Sequence, residues 1–434
     1  MRPTPPRPPL PLVSSDLAVW LRPGARVYWP GCAGSSPLFE QWLRAAPELA
    51  ADVWFCGMWI PGVNRFDPTA LHPEARASSF FMSRDWQAGW QRGAIDLLPM
   101  HYTQAVRWLA TPGRFDVLML HVAPPDEHDL CSLSLAADFT PAVLAAADAG
   151  VAVLAHVNPA LPRTRGPALH ISRITAWVEA PHTPLTLPLE PADPTLAAVA
   201  RQVAEQVRDG DTLQLGLGRM QGAVLSALQA HRGLRLHSGM VSDGLLGLIG
   251  SGALAAPDAK LPPVCTGVAL GSAALYSAVA NPALVQFAAV DHTHAQATLA
   301  AIPRLMAINS AIEIDLLGQA NCEVLGGRQV SGVGGLVDFM RGARASSGGR
   351  ALLAGTANVG GRGADSTRSR IVALLPAGPV GVARSDADSV VTEHGCADLR
   401  GLGVDARAQA LIAVAAPEHR PALQAAWHTL RRTL

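Results

Sequence analysis

The feature of this sequence that most constrains its fold is the alternation of β-branched, leucine-rich segments with alanine-rich segments of helical period. The clearest series lies between residues 195 and 237, where strands at 212–215 and 234–237 flank a helix at 221–231 and follow an earlier helix. Parallel strands that are joined through helices produce this alternation. The sequence therefore predicts an α/β protein with mostly parallel, open sheets.

Local signals set the bounds of other elements. Asp193 and Pro194 are residues favoured at the N-cap and at the first helical position, and Gly210 fits the position after the last turn. The prolines of residues 185–194 indicate a linker, and residues 1–11 indicate a frayed tail. Further predicted elements are strands at 27–29, 115–122 and 151–157 and a helix at 141–149.

Length and charge narrow the protein class. A chain of 434 residues is long enough for two or three domains, and the linker divides it into domains 1–190 and 191–434. The formal net charge of zero argues against a nucleic-acid binder with a broad basic face. We see no apolar run long enough for a membrane span and no signal peptide. Six widely spaced cysteines without a C-x-x-C pair favour a reducing cytoplasm.

Two glycine-rich segments are candidates for anion binding. Residues 216–220 (Gly216, Leu217, Gly218, Arg219, Met220) join a predicted strand to a helix, and residues 331–335 contain Val333, Gly334 and Gly335. Glycine lets backbone N–H groups approach a phosphate or an oxyanion closely. An ordinary tight turn is the alternative for both loops.

Acidic and histidine residues supply the other candidates. Glu313 and Asp315 lie on a predicted buried strand over 307–315, and Glu393 precedes His394 at the end of another strand. These carboxylates could act as acids or bases, or form structural hydrogen bonds. The clusters at 126–129 and at His292-Thr293-His294 lack the spacing of a metal-ligand set, so we expect no metal site.

Together these segments resemble the acetyl-CoA hydrolase/transferase family, which includes 4-hydroxybutyrate CoA-transferases. The resemblance runs from about residue 27 to about residue 425. It is carried by DVLMLHVAPPDEHDLCSLS at 116–134, VNPALPRT at 157–164, GLGRMQGAVL at 216–225, HSGMVSDG at 237–244, AINSAIEIDLLGQ at 307–319, SGVGGLVDF at 331–339, SRIV at 369–372 and VVTEHG at 390–395.

The resemblance implies two tandem CoA-transferase-type (NagB/RpiA-like) α/β domains in a homodimer or higher homo-oligomer. It implies transfer of CoA from a short acyl-CoA to a small carboxylate, with CoA thioester as substrate and no permanently bound cofactor. In the family a glutamate attacks the thioester, and an enzyme–glutamyl-CoA thioester follows. Residues 216–220 would lie along CoA, and the N–H groups of 333–335 would stabilise the oxyanion.

One departure from the family pattern affects the chemistry. The family reads His-Thr-Glu-Met where this chain reads His-Ser-Gly-Met, so Gly239 stands at the position of the nucleophilic glutamate. Asn358 also stands where relatives often carry lysine near the ligand. Glu393, Glu313 or Asp243 could replace the missing carboxylate or activate water. The alternatives are a CoA-thioester binder without turnover, a different substrate chemistry, and a purely structural role.

Overall fold

The computed structural model describes residues 8–187, 193–258, 260–359 and 368–433. Residues 188–192 of the predicted linker and 1–7 of the predicted tail lie outside the described residues. The chain divides into two compact units. Unit 1 is Met1–Leu187 with Asp258–His292, and unit 2 is Pro188–Pro257 with Thr293–Leu434.

The first part of unit 1 contains ten strands and five α-helices among its described residues. The strands are β1 Leu10–Pro11, β2 Arg26–Tyr28, β3 Trp54–Gly57, β4 Arg76–Ser79, β5 Ile95–Leu97, β6 Val117–Val122, β7 Leu130–Ser132, β8 Ala152–Val157, β9 Ala168–His170 and β10 Ala176–Glu179. The helices are α1 Leu17–Trp20, α2 Pro37–Ala45, α3 Gln87–Gln91, α4 Tyr102–Leu109 and α5 Thr140–Ala146.

The next part of the chain supplies elements to both units. Unit 2 contains α6 Pro194–Ala204, β11 Thr212–Leu215, α7 Arg219–Ala227, β12 Arg235–Val241 and α8 Gly244–Ser251. Unit 1 receives β13 Val264–Ala269, α9 Ala273–Val279 and β14 Val285–Phe287, and α10 Val290–Thr293 follows.

The remaining elements belong to unit 2. Its strands are β15 Leu305–Asn309, β16 Glu313–Asp315, β17 Ala320–Asn321, β18 Val324–Leu325, β19 Arg328–Gln329, β20 Arg350–Ala354, β21 Asn358–Val359, β22 Arg368–Ser369, β23 Ile371–Val372, β24 Ser389–Thr392 and β25 Gly395–Asp398. Its helices are α11 Gln296–Ala301, α12 Leu336–Ala345, α13 Val404–Val414 and α14 Arg420–Leu430.

Both units are built on parallel sheets, which confirms the predicted fold class. In unit 1 the order is β1-β10-β8-β6-β2-β3-β4-β5, and every neighbouring pair is parallel. In unit 2 the order β12-β11-β15-β20-β24 is followed by antiparallel β25. Strands such as β6 and β8 are buried along their whole length, because apolar side chains pack on both faces of a parallel sheet.

Several predicted bounds need correction. The helix beginning at Asp193 ends at Ala204 rather than near Gly210, because its last turn tightens: Gln206 N–H donates to the Val203 carbonyl at 2.9 Å. Gly210, with φ +75°, belongs to the turn before β11. The supposed tail also contains ordered backbone, since β1 pairs with β10.

Two corrections bear directly on the site. The strand predicted at 234–237 continues to Val241, so Gly239 lies within β12 rather than after a strand. The single strand predicted over 307–315 is two strands in different sheets, because the chain turns after β15 and β16 pairs with β17 and β23. Glu313 and Asp315 therefore lie in a small three-stranded sheet.

The cysteine and membrane expectations can be compared with the structure. All six cysteines are free thiols. Among the described residues, no helix has the length and apolar character needed to cross a membrane.

The start of α6 offers a stability test. Asp193 accepts a hydrogen bond from Leu196 N–H at 2.9 Å, as the N-cap prediction requires, and it also pairs with Arg219 at 3.1 Å. Asp193→Ala should lower the free energy of unfolding by about 1 kcal/mol, measured by urea denaturation. Asp193→Ser, which keeps a capping oxygen but loses the exposed ion pair, should cost much less. Equal losses in both variants would contradict the capping assignment.

Candidate active site

The candidate residues of unit 2 gather at one edge of its parallel sheet. Strands β11, β12, β15, β20 and β24 run in the same direction, so the loops after them leave at a common carboxyl edge. Ligands of open α/β sheets bind at this edge. The loop at 216–218 follows β11, Asn358 follows β20 and Glu393 follows β24.

The first glycine loop joins β11 to α7 as predicted. Gly218 has φ +118°, a conformation that L side chains rarely adopt, and it occupies the N-cap of α7. Arg219 is exposed and paired with Asp193, whereas Met220 is buried at 8% exposure. Only the backbone and Arg219 of this loop therefore present polar groups outward. Their contact with CoA stays a prediction.

The second glycine loop begins helix α12. Gly334 has φ +62° and Gly335 is the N-cap of α12, which has no side-chain cap. Because the first N–H groups of a helix lack intrahelical partners, such a start favours an anion. The same helix carries Phe339, which is 3% exposed and points into the core. The unpaired N–H groups at the start of α12 and the buried ring of Phe339 therefore belong to the same helix. Stabilisation of an oxyanion by this loop stays a prediction.

Position 239 lies beside a buried histidine that the sequence reasoning did not select. A Cβ atom at Gly239 would stand 2.9 Å from Cε1 and 3.1 Å from Nε2 of His294, and 3.7 Å from Cε2 of Phe339. These are its three nearest heavy atoms, and none belongs to a carboxylate. The His294 ring therefore occupies space that the first atoms of a side chain at position 239 would need.

The surroundings of His294 hold its ring in place. Phe339 packs on it with ring centroids 4.4 Å apart, and Nδ1 lies 2.8 Å from Thr293 Oγ1. His237, on the same face of β12 as Gly239, lies with Nε2 3.0 Å from the Thr293 carbonyl oxygen. Burial, with a smaller effect of His237, lowers the pKa of His294 to about 3. The imidazole is therefore neutral at physiological pH.

Two neighbours of Gly239 in the sequence, Ser238 and Asp243, carry polar side chains. Ser238 is buried and its hydroxyl donates to the Leu215 carbonyl at 2.6 Å. Asp243 lies at the N-cap of α8 without a side-chain capping bond. Ser238 therefore has a structural partner, and the catalytic role of Asp243 stays a prediction.

The other candidate carboxylates have structural partners. Glu313 is 6% exposed, accepts from Asn321 Nδ2 at 3.3 Å and pairs with Arg368 at 3.3 Å. Glu393 accepts from the Ala357 N–H at 2.8 Å. These contacts favour the structural interpretation of both residues, and their catalytic roles stay predictions.

Two further expectations concern Asn358 and metals. Asn358 Nδ2 donates to Glu418 Oε1 at 2.9 Å, and its Oδ1 is buried without a hydrogen-bond partner. Its contact with CoA stays a prediction. Within the described ranges, no group of three or more His, Cys, Asp or Glu side chains is arranged to hold a metal ion.

The signal that could have identified His294 was weak. His294 was visible only as part of a histidine-rich triplet, 55 positions after Gly239 along the chain. No spacing rule connects two segments that meet through sheet packing. Only the structure shows that the His294 ring lies next to position 239, and this contact is the reason to consider His294 in the site.

Comparisons with known proteins agree with the earlier resemblance. Residues 271–427 match the model of the acetyl-CoA hydrolase/transferase C-terminal domain. The chain is 37% identical over 312 residues to 4-hydroxybutyrate coenzyme A transferase of Clostridium kluyveri, covering 71% of each. It is 32% identical over 416 residues to succinyl-CoA:acetate/propanoyl-CoA:succinate CoA transferase of Fasciola hepatica, covering 94% of this chain and 85% of that one. Its fold is similar to RipA from Yersinia pestis, with a TM-score of 0.88, 26% identity and 97% coverage of each chain.

Proposed function

Because this chain belongs to the acetyl-CoA hydrolase/transferase family, we propose that it hydrolyses short-chain acyl-CoA thioesters without a nucleophile at position 239. Members of the family are CoA-transferases and acetyl-CoA hydrolases, and this membership supports an enzymatic role for the chain. The observation that carries the proposal is Gly239 itself, which has no side chain to form an acyl or CoA adduct.

Water is the acceptor that needs no such adduct. In a glutamyl-type transfer the enzyme must store CoA between two half-reactions, and this storage requires a carboxylate. In hydrolysis the oxygen of water bonds to the acyl carbon and the C–S bond breaks. One proton of water reaches the CoA sulfur, so acyl-CoA and water give the free acid and CoA. No intermediate on the protein is required.

The backbone of the two glycine loops supports this chemistry. We assign CoA binding to Gly216, Leu217, Gly218, Arg219 and Met220 and to Asn358, and stabilisation of the oxyanion to the N–H groups of Val333, Gly334 and Gly335. A preformed set of N–H donors stabilises the charge that develops on the carbonyl oxygen whatever the attacking group is.

CoA transfer to a small carboxylate is the second candidate. It is favoured by the 32–37% identity to proteins named CoA transferases. It would require Glu393, Glu313 or Asp243 to leave its present surroundings and act as the nucleophile. Binding of CoA thioesters without turnover is the remaining alternative.

We also propose a cytoplasmic homodimer. Six free cysteines are typical of a reducing compartment. Closed homo-oligomers, and dimers above all, are the commonest assemblies of soluble proteins.

The proposed function predicts both binding and turnover. Millimolar acetyl-CoA or butyryl-CoA should raise the melting temperature, because a ligand that binds the folded state stabilises it. Each should also release free thiol, detected with a thiol reagent, without any added carboxylate. Stabilisation without thiol release or CoA exchange would support the binder. Formation of a new CoA thioester from an added labelled carboxylate, without net release of thiol, would support the transferase. If acetyl-CoA and butyryl-CoA cause no stabilisation, no thiol release and no CoA exchange, the hydrolase, the transferase and the binder are all overturned.

A further inference from the structure

Unit 1 contains a small cavity with aromatic walls. Its volume is about 170 Å³, and the side chains of Trp29, Trp59 and Phe66 line it. An apolar protein cavity of about 150 Å³ is large enough to bind benzene. The cavity of unit 1 therefore has room for one six-membered ring, and its walls are surfaces on which such a ring packs well.

The aromatic walls are held in place by their own packing. Trp29 is 1% exposed and Trp59 is 6% exposed. The ring centroids of Trp29 and Phe66 lie 5.3 Å apart, and Trp59 packs on Trp86 with centroids 4.7 Å apart. Because these contacts already exist in the protein, a ligand meets a preformed surface and little side-chain freedom is lost on binding.

The loop that carries Phe66 is anchored by a buried amide. Asn64, which also lines the cavity, accepts through Oδ1 from the N–H groups of Cys32 and Ile60 at 2.8 and 3.1 Å. These bonds tie residues 60–66 to the turn that follows β2. The position of the loop is therefore fixed by hydrogen bonds in addition to ring packing.

The charge around the cavity is positive. Arg65 lines the cavity and is exposed, and within the described part of the chain no acidic side chain pairs with its guanidinium. Glu40 also lines the cavity, but its carboxylate pairs with Arg44 at 2.9 Å. Arg44 in turn lies over the Phe66 ring, 4.6 Å from its centroid. Two guanidinium groups thus stand against one carboxylate, which favours an anionic ligand.

We propose that this cavity binds a small cyclic carboxylate. The ring of the ligand packs against the aromatic walls, and its carboxylate binds Arg65 at the rim. A guanidinium can hold a carboxylate through two parallel N–H···O bonds, and removal of the ring from water adds to the affinity. The residues of the site all belong to unit 1, and the inference does not depend on thioester hydrolysis.

Titration of the full chain with benzoate tests the site, because benzoate combines one six-membered ring with one carboxylate. Tryptophan fluorescence reports the binding, since Trp29 and Trp59 form the walls. We expect saturable binding with a dissociation constant of about 1 mM or lower. Benzyl alcohol, which has the ring without the charge, should bind about tenfold more weakly. Acetate, which has the charge without the ring, should not displace benzoate.

Two variants locate the bound ligand. Arg65→Gln should weaken benzoate binding about tenfold and leave the binding of benzyl alcohol unchanged. Val63→Phe, at another residue that lines the cavity, should fill the space and remove the binding of both probes. Arg107→Gln, at an exposed arginine of α4, is the matched control and should behave as the wild type. Circular dichroism establishes that each variant is folded.

The outcomes are separate from those of the proposed function. No saturable binding of benzoate to the wild type would overturn the site, whether or not the protein hydrolyses acetyl-CoA. Equal affinities for benzoate in the wild type and in Arg65→Gln would overturn the role of the guanidinium. Unchanged binding in folded Val63→Phe would show that the ligand lies outside this cavity and would overturn the proposal.

Discussion

A glutamate placed at position 239 will not by itself produce a glutamyl-type CoA transferase, whereas Gly239→Glu combined with His294→Asn will. The Cβ of the new residue would lie 2.9 Å from Cε1 of His294, closer than carbon atoms approach without strain. His294 cannot move aside freely, because it is buried and packed on Phe339. Such overpacking costs about 1–3 kcal/mol of folding stability, and shortening the histidine relieves it.

The measurement is CoA exchange between acetyl-CoA and a labelled carboxylate, together with urea unfolding. We expect measurable exchange, and a covalent CoA adduct, only in the double variant. Gly239→Ala is the control, because it adds the colliding Cβ without a nucleophile. It should lose stability in the wild-type background and recover it with His294→Asn. Full exchange by Gly239→Glu alone would contradict the steric relation between these two positions.

Acid should destabilise unit 1 through a pair of buried histidines. His121 and His156 are 4% and 0% exposed, and their rings stack with centroids 4.7 Å apart. Burial, and next the neighbouring His156, lowers the pKa of His121 to about 3. Burial likewise lowers the pKa of His156 to about 4. Both rings are therefore neutral in the folded protein.

The hydrogen bonds of Asn158 explain why His121 resists a proton. Asn158 Oδ1 accepts from the N–H groups of Ala160 and His182 at 3.0 and 3.1 Å, which fixes the orientation of the amide. Its Nδ2 must then donate to His121 Nε2 at 3.0 Å. A proton on that nitrogen would set an N–H group against the amide N–H, so the charged ring would lose its partner.

The direction of the pH dependence follows. A histidine has a pKa near 6.5 in the unfolded chain, so below that pH the unfolded state binds more protons than the folded state. Stability is fully present above about pH 6.5 and falls as the pH drops towards 4. At pH 5 each of the two groups should cost about 2 kcal/mol relative to pH 7.

Urea unfolding at pH 7 and pH 5 tests this expectation. His121→Gln, which cannot gain a proton in this range, should lose about 2 kcal/mol less than the wild type between the two pH values. His128→Gln, at an exposed side chain, should match the wild type. If the free energy of unfolding of His121→Gln falls between pH 7 and pH 5 by as much as that of the wild type, His121 is not a source of the acid sensitivity.

The sequence predicted the local parts of this fold well. The strand at 212–215 coincides with β11, and the Asp193 cap and the glycine turn at 216–218 form as expected. These features depend on residues close together in the chain, where propensity and capping decide. The prediction that the first helix of unit 2 ends near Gly210 was wrong, since the helix ends at Ala204. Val207 is buried and so continues the apolar pattern in the sequence beyond the end of the helix.

The parts that could not be predicted depend on distant segments. Apolar content alone did not show that β12 continues through Gly239, because glycine is a poor strand residue. The motif AINSAIEID divides between two sheets since β16 pairs with β17 and β23. The contact of His294 with position 239 likewise arises only when β12 and the segment after His292 pack together.

A single turnover in ¹⁸O-labelled water tests the absence of a glutamyl route most directly. With the protein in excess over acetyl-CoA, direct attack of water places one ¹⁸O atom in the acetate, detected by mass spectrometry. Attack by an enzyme carboxylate would instead pass an unlabelled protein oxygen to the acetate and leave CoA bound to the protein. We predict singly labelled acetate and no CoA–protein adduct. Unlabelled acetate with a covalent CoA adduct would contradict hydrolysis without a nucleophilic carboxylate.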